Sequence, residues 1–352
     1  MKIDKLRAAL KKAGVDAALI VSEVNVQYFS GFTGDSSQLL ITQDEMLFFT
    51  DFRYTEQAQM QTDFTVVETA GHTRLDEIFG SVTKAGAKML GIDLDGVMYN
   101  SFKSYLKFID EEQIIDLSAV VGAARCIKDE QEIAAIAKGA KYTDKLFEKV
   151  CTMIGEGVTE ADIKAEMIYF MNKNGAEAAF DPIVASGSNS SLPHATPTSK
   201  KFESGDFITM DFGCKFDGYC SDFTRTVALC KVDNEQQKVY DIVRQAGEKA
   251  TKALAPGAKC SDIDAIARGY IAAKGYGEYF GHGLGHGVGL LVHEEPRLNG
   301  TSEDVLEAGM VVTIEPGIYL PGKWGVRIED LCVITESGYT NLTTAPRELI
   351  IL

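Results

Sequence analysis

The sequence predicts an α+β chain of two domains, a smaller α/β domain over residues 1–125 and an internally repeated domain over residues 126–352. Three observations predict it. All eight prolines stand at Pro182 or later. The first ~120 residues instead alternate short strand-like runs with amphipathic helical stretches, the pattern of a small α/β domain. The remainder writes one series of elements twice, about 100 residues apart.

In the first domain, "MKIDKLRAALKKAG" reads as a charged amphipathic helix and lacks the apolar stretch of a signal peptide. Strands are expected at "DAALIV" (16–21), "QLLIT" (38–42), "MLFFT" (46–50), "FTVVE" (64–68) and "MLGID" (89–93). Helices are expected at "RYTEQAQMQ" (53–61) and "SFKSYLKFIDEE" (101–112). From residue 126, "CIKDEQEIAAIAKGAKYTDKLFEKV" begins a long helix with Asp129 and Glu130 in its first turn, where acids suit the helix dipole. The boundary therefore belongs near Arg125.

In the second domain, "GVTEADI" (157–163) aligns with "GAKCSDI" (257–263), and the same offset brings Gly175 onto Gly275 and Phe180 onto Phe280. The helices before them, 130–152 and 234–254, match in kind. Downstream, "GDFITMDFG" (205–213) and "GMVVTIEPG" (309–317) share a glycine, a strand-like run, a carboxylate and a second glycine. The reading is two halves related by an approximate two-fold axis, with the repeated carboxylate strands meeting between them.

Each of those strands leads into a hairpin. A turn over Lys215-Phe216-Asp217-Gly218, centred between Phe216 and Asp217, puts Asp211 directly opposite Asp222, with Cβ atoms ~5 Å apart. A turn over Pro321-Gly322-Lys323 does the same for Glu315 and Glu329. Opposed like charges destabilise a sheet, and burying unpaired carboxylates costs several kcal/mol each. Two divalent cations would neutralise the four acids, which makes a dinuclear metal site the reading that accounts for both hairpins at once.

Histidine is scarce, five in the chain. His72 lies in a predicted turn of the first domain and is given no role. "GHGLGHGVGLLVHEEP" contains His282, His286 and His293, with glycine at 281, 283, 285, 287 and 289. That much glycine disfavours helix. An extended reading gives one bare face, suited to close backbone packing, and another carrying His282, Leu284, His286 and Val288. His293 has the wrong parity and needs a bulge to reach the same pocket. The repeat offset relates it to His194 in "SSLPHATPT". A phosphate loop is rejected because the run lacks the Gly-Lys-Ser/Thr ending.

Composition limits the partners. A net charge of −16 argues against nucleic acid, and no apolar run approaches the ~18 residues of a membrane span. Seven cysteines without paired spacing, including the close pair Cys214 and Cys220, read as reduced thiols in a cytoplasmic protein.

Taken in order, "MDFG", "SDFTRT", "GHGLGHGVGL", "TIEPGIY" and "GVRIED" resemble the pita-bread-fold metallopeptidases over residues 125–352, most closely the proline-specific branch of Xaa-Pro aminopeptidases and Xaa-Pro dipeptidases (prolidases). The first domain resembles the creatinase-like domain of that branch. The resemblance implies that Asp211 chelates one metal, that Asp222 and Glu329 bridge two, and that His286 and Glu315 complete the second. Residue chemistry alone reaches the four acids but leaves the choice among the histidines open. It also implies substrate contacts from His282, Arg327 and Tyr319, with Thr224 on a ligand face. It further implies a homodimer whose first domain lines part of the pocket.

Two cations ~3.5–4 Å apart would lower the pKa of a shared water toward ~7 for attack on the peptide carbonyl. Glu315 would relay the proton, His293 would stabilise the oxyanion, and His194 would serve the leaving proline side. Oxygen-rich ligation with one imidazole suits Mn(II) or Co(II), with Zn(II) and Fe(II) as alternatives. The expected activity is Xaa-Pro aminopeptidase, with prolidase as the alternative and a catalytically silent binding protein as a remote one. Methionine aminopeptidases share the ligands but are not expected to have this first domain, and creatinase-like amidinohydrolases lack the metal site.

Overall fold

A computed structural model of the chain describes residues 2–352. The chain divides into two units, residues up to Arg125 and Cys126–Leu352.

The first unit opens on helix α1 (Lys2–Ala13), whose Leu6 and Leu10 are buried. Its sheet contains β1 (Ala17–Ile20), β2 (Gln38–Thr42), β3 (Met46–Thr50), β4 (Thr65–Glu68), β5 (Leu90–Ile92) and β6 (Ile114–Asp116), in the order β4-β3-β2-β1-β5-β6. β1 pairs antiparallel with β2 and parallel with β5. Helices α2 (Glu23–Ser30), α3 (Thr55–Gln61), α4 (Arg74–Lys84), α5 (Tyr99–Tyr105) and α6 (Ser118–Cys126) connect and follow the strands. Leu19, Leu40, Phe49, Ile78 and Ile92 form the core.

The five expected strands are present. The helix expected over 101–112 is shorter, and β6 takes up the chain beyond it. Asp110 and Gln113 form a capping box around a 3-10 turn, and Ile114 then pairs with Leu90. The apolar Ile114-Ile115 run pairs in the sheet, and the capped 3-10 turn ahead of it replaces the last part of the expected helix.

The second unit repeats itself as the sequence indicates. Helix α7 (Glu130–Cys151) begins with a capping box between Asp129 and Glu132, and its later counterpart α9 (Asn234–Thr251) begins with one between Asp233 and Gln236. Helices α8 (Glu160–Lys173) and α10 (Cys260–Ala273) follow. Gly157 and Gly257 lead into them at φ 89° and 86°, and Gly175 and Gly275 leave them at 71° and 87°. An L side chain is strained at such angles, so the repeated glycines record repeated turns. Gly157 N donates to Phe202 O, and Gly257 N to Leu306 O.

The strands are β7 (Glu177–Ala178), β8 (Ile183–Ser186), β9 (Phe207–Asp211), β10 (Cys214–Phe216), β11 (Tyr219–Cys220) and β12 (Thr224–Ala228) in the first half. β13 (Gly285–Gly287), β14 (Glu294–Leu298), β15 (Val311–Ile314), β16 (Gly317–Leu320), β17 (Trp324–Arg327), β18 (Asp330–Thr335) and β19 (Gly338–Asn341) follow. They form sheets β12-β9-β8, β11-β10-β7, β14-β13-β15-β18-β19 and β16-β17. Each half has its own core. Leu146, Phe147, Ile163 and Met167 pack with Ile208 and Met210, whereas Val239, Val243, Ile263 and Ile271 pack with Val312 and Ile314.

The two hairpins set the acids. In the second, Ile314 faces Asp330 on one side of the carboxylates and Gly317 faces Arg327 on the other. Both ladders are in one register, which sets Glu315 opposite Glu329 as expected. The first hairpin corrects the expected register. Its turn residues are Asp217 and Gly218, both with positive φ (51° and 84°), and Phe216 pairs with Tyr219. A two-residue turn with φ > 0 at both positions is the type I′ geometry that matches strand twist. The strands are therefore offset by two residues from the expected pairing. Thr224 faces Asp211, and Asp222 becomes its diagonal neighbour. Because side chains alternate with period two, a slip of two keeps both acids on one face.

Candidate metal centre

The histidine segment is built by close approach. A Cβ on Gly285 would run into the carbonyl oxygen of Thr313, and one on Gly287 into that of Glu295. The bare face expected of this run packs against neighbouring backbone. The opposite face is not continuous, because Leu284 and Val288 enter two separate apolar clusters. His286 pairs with Arg297, but Gly287 pairs with Glu294, so the register shifts between β13 and β14. This bulge brings His293 to the pocket, with its ring centroid 4.4 Å from that of His286.

One pocket of about 350 Å³ is lined by Asp211, Asp222, His286, Glu315 and Glu329. His194, His282, His293, Tyr319 and Arg327 line it too. Thr224 is buried behind it, with its hydroxyl donating to Glu329 Oε2 (2.7 Å) and accepting from Arg327 Nε (3.2 Å). Ligand atoms of Asp222, His286 and Glu329 lie within 4.8 Å of one another. His286 Nε2 is 3.2 Å from Glu315 Oε1 and 3.6 Å from Asp222 Oδ2. His286 Nδ1 meets Gly287 O at 3.0 Å, which fixes the ring and turns Nε2 toward the acids. His72 lies in the first unit, outside this site.

The electrostatics show how far the chain itself compensates these charges. Burial, and then the neighbouring acids, push the Asp222 and Glu329 carboxyls well above the usual range. Burial also raises Asp211, with Arg327 opposing. Burial would raise Glu315 as well, but the bond to His286 together with the positive charges of His286, His282 and Arg327 leaves it lowered. Burial alone would lower the His286 imidazole; Glu315 and Asp222 overcome this and raise it to about 9.

The donor set fits divalent cations. Asp211 Oδ1 and Glu329 Oε1 are buried with no hydrogen-bond partner among the described residues, although their sister oxygens are bound by Arg327 and Thr224. Buried carboxylate oxygens without partners are costly, and coordination would satisfy both.

A hydrogen-bond chain surrounds the centre. Arg327 donates from Nη2 to Asp211, and from Nη1 to Tyr319 Oη (2.8 Å) and Pro193 O (3.2 Å). Tyr319 Oη meets His282 Nε2 at 2.9 Å. Burial raises the Tyr319 hydroxyl to about 12 and lowers the His282 and His293 imidazoles.

Sequence reasoning missed Arg297 and Asn299, and with them the apolar wall of Phe180, Ile183 and Val292. Arg297 faces His286 across the bulged ladder, so its position depends on the size of a bulge that no local motif specifies. Phe180 carried a signal only as a repeat marker, yet its counterpart Phe280 is buried in the core.

Residues 134–336 match metallopeptidase family M24, and residues 2–127 match the creatinase/prolidase N-terminal domain. The chain belongs to family M24. It is accordingly a metal-dependent hydrolase, with a pita-bread domain following a creatinase-like domain. It is 39% identical to a Pyrococcus horikoshii protein named Xaa-Pro dipeptidase, over 99% of this chain and 98% of that one. The solved structure of an Xaa-Pro dipeptidase from Bacillus anthracis matches with TM-score 0.96 and 42% identity, covering 100% of this chain and 99% of that one. An X-Pro aminopeptidase from Thermotoga maritima MSB8 matches with TM-score 0.92 and 38% identity over 100% of both chains. No helix among the described residues of this M24 chain is long and apolar enough to cross a membrane.

Proposed function

We propose that the protein is a prolidase, hydrolysing the Xaa-Pro bond of dipeptides. The carrying observation is one small pocket with buried acids at its centre and an additional arginine, Arg297, in its lining. About 350 Å³ is at the low end for ligand pockets and suits a dipeptide. Arg297 would take the free carboxylate on the proline, and Phe180, Ile183 and Val292 would contact its ring. The aminopeptidase expected from sequence becomes the second reading. The Pyrococcus and Bacillus relatives favour the dipeptidase, whereas the Thermotoga structure keeps the aminopeptidase in view.

Asp211, Asp222, His286, Glu315 and Glu329 would hold two divalent cations. Mn(II) or Co(II) suits that donor set, and the cations supply Lewis acidity toward the scissile carbonyl and the attacking water. Glu315, held below its ordinary range chiefly by His286 and also bonded by the Thr313 hydroxyl, accepts the proton of that water. His293 donates to the carbonyl oxygen as charge develops; its lowered pKa keeps the imidazole neutral at pH 7, so it donates without delivering its proton. His194, exposed in the pocket lining, serves the departing proline nitrogen. His282, Tyr319 and Arg327 line the substrate through their shared hydrogen bonds.

The test compares Ala-Pro with Ala-Pro-Ala hydrolysis by Mn-loaded protein. A prolidase favours the dipeptide by at least about tenfold in kcat/KM, because an interaction with its terminal carboxylate worth ~1.4 kcal/mol gives that ratio. Equal or faster tripeptide cleavage gives the aminopeptidase, and no turnover of either by metal-loaded protein refutes both readings.

A further inference from the structure

The polypeptide carrying His194 leaves β8 at Ser186, passes through a 3-10 turn (Gly187–Ser191), and reaches Thr198. Both ends close on one carboxylate. Glu160, the first residue of α8, is 0% exposed. Its Oε1 accepts from Ser186 N (2.7 Å), Ser186 Oγ (2.9 Å) and Asn189 Nδ2 (3.1 Å). Its Oε2 accepts from Thr198 N (2.9 Å), Thr198 Oγ1 (2.7 Å) and Asn189 Nδ2 (3.2 Å). Burial would raise this carboxyl, but the bonds from Thr198 and Ser186 outweigh it and hold the group below its usual range.

The loop's other side meets the strand that carries Arg327. Gly325 N donates to Ser190 Oγ (2.9 Å), and Arg327 Nη1 donates to Pro193 O (3.2 Å). Pro193 and His194 both line the pocket.

Helix formation does not require this buried acid. Thr159 and Asp162 already make the capping box of α8. In the other half the matching position is Cys260, on a helix of the same length. There another helical carboxylate holds the histidine segment: Asp264 accepts from Leu284 N and Arg268, and Arg268 donates to Phe280 O and His282 O. Each half thus binds a buried acid of its second helix to the segment that carries a histidine of the pocket lining.

We propose that Glu160 is the positioning residue for His194, closing the 186–198 loop into the conformation that presents His194 and the Pro193 carbonyl to the pocket. The role rests on the Xaa-Pro peptidase reading, in which His194 serves the leaving side. Glu160→Gln is the decisive variant because it keeps the shape. Whichever oxygen is replaced, the new amide N–H faces an obligate N–H donor, Ser186 N or Thr198 N, and one anchor is lost.

The experiment is a double-mutant cycle of Glu160→Gln with His194→Ala, read on Ala-Pro. Glu160→Gln alone should lower kcat/KM about tenfold, and less than about twofold in the His194→Ala background, because groups acting through one another are non-additive. Bound metal should stay at the wild-type level. Thr198→Val removes one hydroxyl while keeping the N–H, and it carries the same cycle with a loss of about threefold if the glutamine variant does not fold.

A readout independent of turnover is the His194 imidazole resonance by NMR, expected to shift in Glu160→Gln and in Thr198→Val. Equal losses in both backgrounds, or an unmoved His194 resonance, would overturn the assignment. A wild-type chain without Xaa-Pro turnover would instead defeat the activity reading, and the NMR comparison would still decide the role of Glu160.

Discussion

The two hairpins bring their acids to one pocket with different compensation. Asp211, on the first, is bound by Arg327 from the second. Glu315, on the second, is bound by His286 from β13. These two acids each have a cationic or protonatable hydrogen-bond partner supplied by the chain. Asp222 and Glu329 differ. Asp222 accepts one backbone bond, from Phe223 N, with His286 3.6 Å away, and Glu329 accepts from the Thr224 hydroxyl. Their carboxyls are the two pushed furthest above the carboxylate range within the site. Among the described residues, the chain gives the inner acids no cationic hydrogen-bond partner, whereas the outer pair is partly balanced within the fold.

The largest expected effect breaks this contrast by substitution. Asp222→Asn and Asp211→Asn should each lower activity on Ala-Pro by about a thousandfold or more, since each removes a charge from the site. Their metal-free proteins should move in opposite directions. Asp222→Asn removes a buried carboxyl that must take up a proton or stand ionised beside other acids, and should raise Tm by a few degrees at neutral pH. Asp211→Asn leaves the buried Arg327 guanidinium unpaired, a loss of about 3–5 kcal/mol, and should lower it. Calorimetry of the chelated variants reads the sign, and two downward shifts would erase the distinction.

A smaller effect appears with pH. The Asp222 and Glu329 carboxyls are raised in the folded, metal-free chain from ordinary values of 3.8 and 4.5. Folding then takes up protons, so the stability these groups contribute is fully present below those ordinary values and is lost as pH rises through the raised folded ones. Divalent cations compete with those protons. The Tm gap between Mn-loaded and chelated protein should therefore widen from pH 5 to pH 8. A constant gap would mean that the inner acids are ionised without metal.

The same contrast explains what was legible in the sequence. The second hairpin read correctly because the Pro321-Gly322-Lys323 loop is centred on one residue and both of its ladders keep one register. The first misread because φ > 0 at both Asp217 and Gly218 draws the turn one residue later, yet the slip of two left the pocket face intact. Arg297 was not legible, since the bulge after His286 decides which residue faces the site. Glu160 was hidden for another reason. Repeats draw attention to positions that match, and its significance lies in the mismatch with Cys260.

The smallest effect concerns how an inner acid is held. Thr224 Oγ1 has one proton, which goes to Glu329 Oε2 at 2.7 Å, and its lone pair receives Arg327 Nε at 3.2 Å. The hydroxyl thereby links the outer-acid guanidinium to an inner acid. Thr224→Val keeps the volume and the β-branched shape favoured in strand β12 but removes both bonds. Asp211 retains Arg327, while Glu329 loses its side-chain donor. Loosening an outer-shell bond to a ligand should weaken metal binding by about tenfold, and the weaker of two binding steps should change more than the tighter one. Isothermal titration of the metal-free variant with Mn(II) measures both steps. Two equally weakened steps would show that Thr224 supports the site as a whole and give no special standing to the inner acids.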